Sequence, residues 1–155
     1  MDFGEIERAR RRLAGIIKPT RLLRSDTIDR LVGTQIFLKP ENRQKTGSFK
    51  IRGAFNRLAS MSSEEARHGV IAASAGNHGQ ALSYAASRAG IQATIVMPRS
   101  AAIAKIDATR GYGQNVVLEG TDYGEARKAA AQLQQRTGAP FCDRRTGHNR
   151  TGDRR

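Results

Sequence analysis

Three short apolar runs constrain this chain more than anything else in it: Val70-Ile71-Ala72-Ala73, Ala93-Thr94-Ile95-Val96-Met97 and Asn115-Val116-Val117-Leu118. Each is followed by a stretch with helical character, expected over about 79–89, 101–110 and 123–136. Strands that are apolar throughout, rather than at alternate positions, are covered on both faces, and strands that alternate with helices form a parallel sheet. Pro98 stops the second strand, and Pro140-Phe141 reads as the entry to a fourth. Crossovers between parallel strands are right-handed, so the simplest topology is a Rossmann-like, three-layer α/β/α arrangement.

Upstream, Phe3, Ile6, Ala9, Leu13, Ile16 and Ile17 recur at three- and four-residue steps. They predict an amphipathic helix over about residues 4–16, ended by Pro19. A second helix is expected from Ser25 to Leu31, capped by Ser25 or Asp26, with Gly33 behind it. Gln35 to Lys39 reads as a strand that stops at Pro40, and the loop from Glu41 to Thr46 is polar. Helix signals resume at Ser48, where Ile51, Ala54, Phe55 and Leu58 make one apolar face.

With 155 residues, 38% of them hydrophobic, and 16 glycines, the chain has the size and composition of an ordinary globular domain. It has no run of about 18 apolar residues that could span a membrane. The acidic start, Met1-Asp2-Phe3-Gly4-Glu5-Ile6-Glu7, lacks the basic-then-apolar order of a secretory signal. Cys142 is the single cysteine, which excludes an internal disulfide framework. The expected address is the cytoplasm. A net charge of +13 raises the question of nucleic acid, but +3 of it lies in residues 142–155. The other bases are scattered and interleaved with acids, as in Glu64-Glu65-Ala66-Arg67, and no zinc-finger spacing or other metal-ligand set is seen. A solvated basic surface with weak, salt-sensitive affinity for polyanions is expected, and no specific nucleic-acid site.

Two loops carry chemistry. In Gly47-Ser48-Phe49-Lys50-Ile51-Arg52-Gly53-Ala54, the lysine falls in the first turn of a helix, where partial positive charge gathers. Burial there would disfavour its ammonium form and make it a better nucleophile toward an aldehyde. In Ser74-Ala75-Gly76-Asn77-His78-Gly79, a strand runs into a glycine-containing turn and then a helix. That arrangement points N–H groups at an anion beyond the carboxyl end of a parallel strand, and phosphate and carboxylate both suit it. The plainer reading is a βα turn with Ser74 and Asn77 capping the helix, His78 a packed or capping residue and Lys50 a solvated one.

Taken together, Thr46-Gly-Ser-Phe-Lys-Ile-Arg-Gly-Ala54 and Ser74-Ala-Gly-Asn-His-Gly79 resemble the threonine/serine dehydratase branch of the fold-type II pyridoxal-phosphate enzymes. Leu38-Lys-Pro-Glu-Asn-Arg-Gln44, Ile95-Val-Met-Pro98 and Lys105-Ile-Asp-Ala-Thr-Arg-Gly-Tyr-Gly113 extend the likeness over about residues 5–141. The resemblance implies that Lys50 holds pyridoxal 5'-phosphate as a Schiff base and later moves the substrate's α-proton. It places Phe49 beside the pyridine ring and Asn77 on the ring's phenolic oxygen. Ser74, Asn77 and His78 would hold the carboxylate of a small amino-acid substrate, partly through backbone N–H groups. The implied reaction removes the β-hydroxyl of threonine or serine and ends in a 2-oxo acid and ammonia. Ile51, where cysteine and threonine synthases usually carry aspartate, favours this branch. So does Ala75, which lacks the hydroxyl that serine racemases use as the opposite-face base. Ala101-Ala102 departs from the family, which often has proline there.

The resemblance also implies a division of the chain. Residues 1–45 would belong to a large domain that is otherwise missing, and 46–141 would form the small α/β domain. The family's glycine-rich phosphate loop, in its second half, has no counterpart in this sequence. Residues 142–155 form an aberrant, basic, aperiodic tail. One permitted set of codons for it, read one nucleotide forward, gives Ala-Ile-Asp-Glu-Pro-Val-Ile-Thr-Gly-Gln-Gly-Thr-Val-Gly, similar to the family's next segment. The expectation is therefore a frameshifted, truncated and inactive chain whose parent enzyme is a homo-oligomer. The alternatives are a related racemase or lyase of another hydroxy amino acid, or a non-catalytic polyanion-binding module.

Overall fold

The computed structural model describes residues 2–143. Among these residues it contains seven α-helices and three strands in the order α1 (Phe3–Leu13), α2 (Asp26–Val32), α3 (Lys50–Ala59), α4 (Ser63–Arg67), β1 (Val70–Ala73), α5 (Asn77–Ala89), β2 (Ala93–Met97), α6 (Ile103–Arg110), β3 (Asn115–Leu118) and α7 (Tyr123–Thr137), with one short 3-10 turn at Glu41–Arg43. The three strands form one parallel sheet in the order β1-β2-β3, with Ile71 opposite Thr94 and Ile95 opposite Val116. This is the α/β class with a parallel sheet that the apolar runs predict. A fourth segment begins alongside β1 as a parallel bridge between Ile71 and Phe141. The aberrant tail expected at 142–155 lies outside the described residues, apart from Cys142 and Asp143.

Successive strand residues point to opposite faces, and the core divides accordingly. Val70, Ala72, Ile95 and Met97 face one layer, where they cluster with Ile51, Phe55 and Leu58 of α3 and Leu82 of α5. Ile71, Ala73 and Val96 face the other, against Ala126 and Ala130 of α7. Alanines at 81, 85 and 86 let α5 settle close on its neighbours, and all three are fully buried. Each large apolar side chain removed from water contributes about 1.5–3 kcal/mol. The coverage is incomplete at β3, where Asn115 and Val117 are exposed, so the expectation of strands covered on both faces holds for β1 and β2 only.

Several boundaries differ from the sequence reading for local reasons. The first helix ends at Leu13, before Pro19, because Gly15 turns the chain at φ 74°. The strand expected at 35–39 reduces to a single antiparallel bridge, Leu23 to Leu38; an extended run becomes a strand only where a neighbour continues its ladder. α5 opens at Asn77, two residues earlier than expected, with Gly76 as its cap. α6 opens at Ile103 and α3 at Lys50. The short α4 is an addition to the expected elements, although Ser62 and Glu65 form a reciprocal cap that is legible in the sequence. Among the described residues, no helix is long and apolar enough to cross a membrane.

Candidate active site

Lys50 is the first residue of α3, and Phe49 immediately before it is the helix cap. The ammonium nitrogen lies 5.0 Å from the centroid of the Phe49 ring, within range of a cation–π contact. The lysine is half-buried and the phenylalanine is exposed, so the burial expected around this amine is only partial. Ahead of it the chain turns at Gly47, φ 69°, whose N–H donates to the Gln44 carbonyl at 2.9 Å. Gln44, Thr46 and Ser48 alternate inward while Lys45, Gly47 and Phe49 stay exposed. Gln44 Nε2 donates to the Lys18 carbonyl at 2.7 Å. The Gln44 Oε1, Thr46 Oγ1 and Ser48 Oγ oxygens are buried without a hydrogen-bond partner among the described residues.

The second turn is built around Ser74. Its N–H donates to the Val96 carbonyl at 3.0 Å, which anchors the end of β1 to β2. Its Oγ accepts the Gly79 N–H at 3.0 Å and the Gly76 N–H at 3.4 Å. Gly79 is required by packing: a Cβ there would lie 2.7 Å from the Ser74 carbonyl oxygen and 3.0 Å from Ile95 Cγ2. Asn77 is exposed as the first residue of α5. The His78 ring is committed elsewhere, with Nε2 lying 2.9 Å from the carbonyl oxygen of Cys142.

Lys50 and Asn77 open two helices, α3 and α5, that pack against each other. Phe55 and Tyr84, comparably far into each, meet edge to face with ring centroids 5.9 Å apart. Sequence reasoning missed the three buried oxygens ahead of Lys50, whose signal is an inward alternation of polar residues. It also missed the ion pair between Glu41 and Arg52 that braces the same helix. A cavity of about 1100 Å³ lies between α1 and α3, lined by Leu13, Lys39, Arg52 and Asn56 among others. Lys50, Ser74, Asn77 and His78 do not line it, so it is distinct from the two loops.

The family described as pyridoxal-phosphate dependent enzyme matches residues 13–151. An L-threonine ammonia-lyase of Thermotoga maritima is 50% identical over 141 residues, which is 91% of this chain and 35% of that protein. A catabolic L-threonine dehydratase of Staphylococcus aureus is 42% identical over 139 residues, covering 89% of this chain and 40% of its own length. Among solved structures, serine racemase from Dictyostelium discoideum superposes with a TM-score of 0.87 at 35% identity, over 93% of this chain and 47% of that one. The chain thus spans less than half the length of the relatives it matches. A parallel α/β layer, a lysine opening one helix and a serine-anchored turn opening its neighbour belong, with these matches, to a single assignment: this chain is a member of the pyridoxal-phosphate dependent enzyme family.

Proposed function

We propose that this chain carries the lysine-bearing part of an ammonia-lyase that acts on L-threonine or L-serine, releasing a 2-oxo acid and ammonia. The observation that carries the reading is the hydrogen bonding of Ser74. Its Oγ already accepts two backbone N–H groups, so the hydroxyl proton is what it offers a ligand, and a carboxylate accepts it. The N-terminal turn of α5 adds partial positive charge at the same place. Phosphate suits such a turn as well. The relatives' names, L-threonine ammonia-lyase and L-threonine dehydratase, favour an amino acid's carboxylate.

The residues present fit the amine-binding side of pyridoxal 5'-phosphate. Lys50 supplies the amine at a helix start, Phe49 a ring face beside it, and Asn77 an exposed amide at the start of the adjoining helix. When bound, the cofactor supplies an electron sink for charge that develops at the substrate's α-carbon. Lys50 would take the α-proton at Nζ once the substrate amine displaces it from the cofactor, and Ser74 with the turn's backbone would hold the carboxylate still. We place residues 1–45 with a larger domain and 46–141 in a smaller one. The activity belongs to a polypeptide of the relatives' length, and this chain by itself turns over little or no threonine.

Reductive trapping tests the reading without needing turnover. Incubating the chain with pyridoxal 5'-phosphate, reducing with borohydride and mapping the labelled peptide should place the label on Lys50 and lose it in Lys50→Ala. Equal labelling of Lys18, Lys45, Lys105 and Lys128 would sink the assignment of the amine. Release of 2-oxobutanoate from L-threonine by a polypeptide of the relatives' length, with this chain as its first part, tests the substrate. A racemase is the second reading, supported by the superposition on serine racemase, and conversion of L-serine to D-serine in the same assay would replace the first.

A further inference from the structure

The turn from Ser74 to Gly79 is held from both flanks. On one side the Ser74 N–H donates to Val96 of β2 at 3.0 Å. On the other, His78 Nε2 lies 2.9 Å from the Cys142 carbonyl oxygen, across 64 positions of chain. The Cys142 N–H in turn donates to the Ile71 carbonyl of β1 at 2.7 Å, and the Ile71 N–H donates to the Pro140 carbonyl at 3.0 Å, so the acceptor sits on a segment already fastened to the sheet. A carbonyl oxygen only accepts, so Nε2 carries the proton in this contact. We propose that His78 is a positioning residue. Its ring ties the first turn of α5 to the segment that runs beside β1, and this fixes the backbone that receives the substrate carboxylate.

The need for such a tether follows from the turn itself. Helix ends fray, and Gly76 and Gly79 give the backbone on either side of His78 extra freedom. Ser74 Oγ holds Gly79 from inside the turn, but that bond is local to the same loop. The histidine bond joins the turn to a second, independently fastened strand segment. The orientation of the anion-binding N–H groups is then set by the sheet and not by the loop. This inference rests on the carboxylate reading above for its functional half, whereas the tether itself stands on the contact.

Residue-resolved amide hydrogen exchange on the full chain, in wild type, His78→Gln and His78→Ala, tests it. A glutamine amide can donate where Nε2 does, and alanine cannot. Losing one such bond is worth roughly five- to tenfold in a local opening equilibrium. In His78→Ala, exchange at Gly79 and Gln80 should accelerate by about that factor while amides of β1 and β2 keep their wild-type rates. His78→Gln should restore the two amides to within about twofold. Identical exchange in all three proteins, or equal acceleration in both variants, overturns the tether. Should His78→Ala not fold, wild-type exchange in His78→Gln supports the tether and accelerated exchange at Gly79 overturns it. A parallel titration with L-threonine separates the two ideas. Shifts of the 74–79 amides that weaken in His78→Ala and return in His78→Gln support the functional half. Absence of shifts in wild type overturns the carboxylate reading, while the tether still stands or falls on the exchange rates alone.

Discussion

Glu41 closes on Arg52 with both carboxylate oxygens, Oε2 to Nε at 2.7 Å and Oε1 to Nη2 at 2.8 Å. The Thr20 hydroxyl donates to the same Oε1 at 2.7 Å. One carboxylate thus joins the N-terminal segment, the polar loop and the first turn of α3, two residues from Lys50. Paired hydrogen bonds of this kind are stronger than neutral ones, and neither side chain is freely solvated.

The pair sets an acid limit. The Arg52 guanidinium holds the Glu41 carboxyl down to about 2, against burial, which pushes it up. A carboxyl depressed in the folded state stabilises above its unfolded value of 4.5, and the contribution is lost as pH falls toward 2. Glu41→Gln should cost about 1–3 kcal/mol at neutral pH. Its urea-unfolding free energy should also decline less steeply than wild type between those pH values. Parallel pH profiles would refute the coupling.

Gly79→Ala tests the packing of the second turn. The new methyl would press on the carbonyl oxygen of Ser74, in the same turn, and on Cγ2 of Ile95, in the sheet core. Overpacking of this kind costs about 1–3 kcal/mol. Chemical denaturation should show that loss. A wild-type midpoint would mean that the turn yields easily.

Cys142 should behave as an inert thiol in the folded chain. Burial pushes it up to about 11, although the charge of Arg57 pulls the other way. Relative to the ordinary value of 9.0, that lowers the thiolate fraction near neutral pH by about 100-fold, before any steric shielding. Iodoacetamide should therefore modify it far more slowly in buffer than in concentrated urea. Similar rates in both would contradict the burial of this segment.

Leu82→Ala probes the layer beneath α5. Leu82 is fully buried between the sheet and α3, so the truncation should cost about 2–5 kcal/mol. Calorimetry or denaturant melts would measure it. A loss below about 1 kcal/mol would mean that the layer collapses around the gap.

The strands at 70–73 and 93–97 were legible in the sequence because a strand covered on both faces is apolar almost throughout, and 115–118 was legible from its apolar run although the fold leaves Asn115 and Val117 exposed. The serine turn was legible because glycines and short polar residues directly after an apolar run mark a βα turn, whereas the lysine turn, which follows a polar loop, stood out only when both motifs were read together. Residues 35–39 misled because β-propensity is local, whereas a ladder needs a neighbour, and among the described residues only Leu23 pairs there. The direction of the His78 ring, the bidentate hold of Glu41 on Arg52 and the inward turn of Gln44, Thr46 and Ser48 were beyond reach. Each depends on which distant backbone or charge comes within hydrogen-bond range, and only the packed chain decides that. The sequence alone determined the layers and the chemical groups at the helix starts. Tertiary structure decided which of those groups are spent on holding the fold, since a side chain's partners are set in three dimensions and not by its neighbours along the chain.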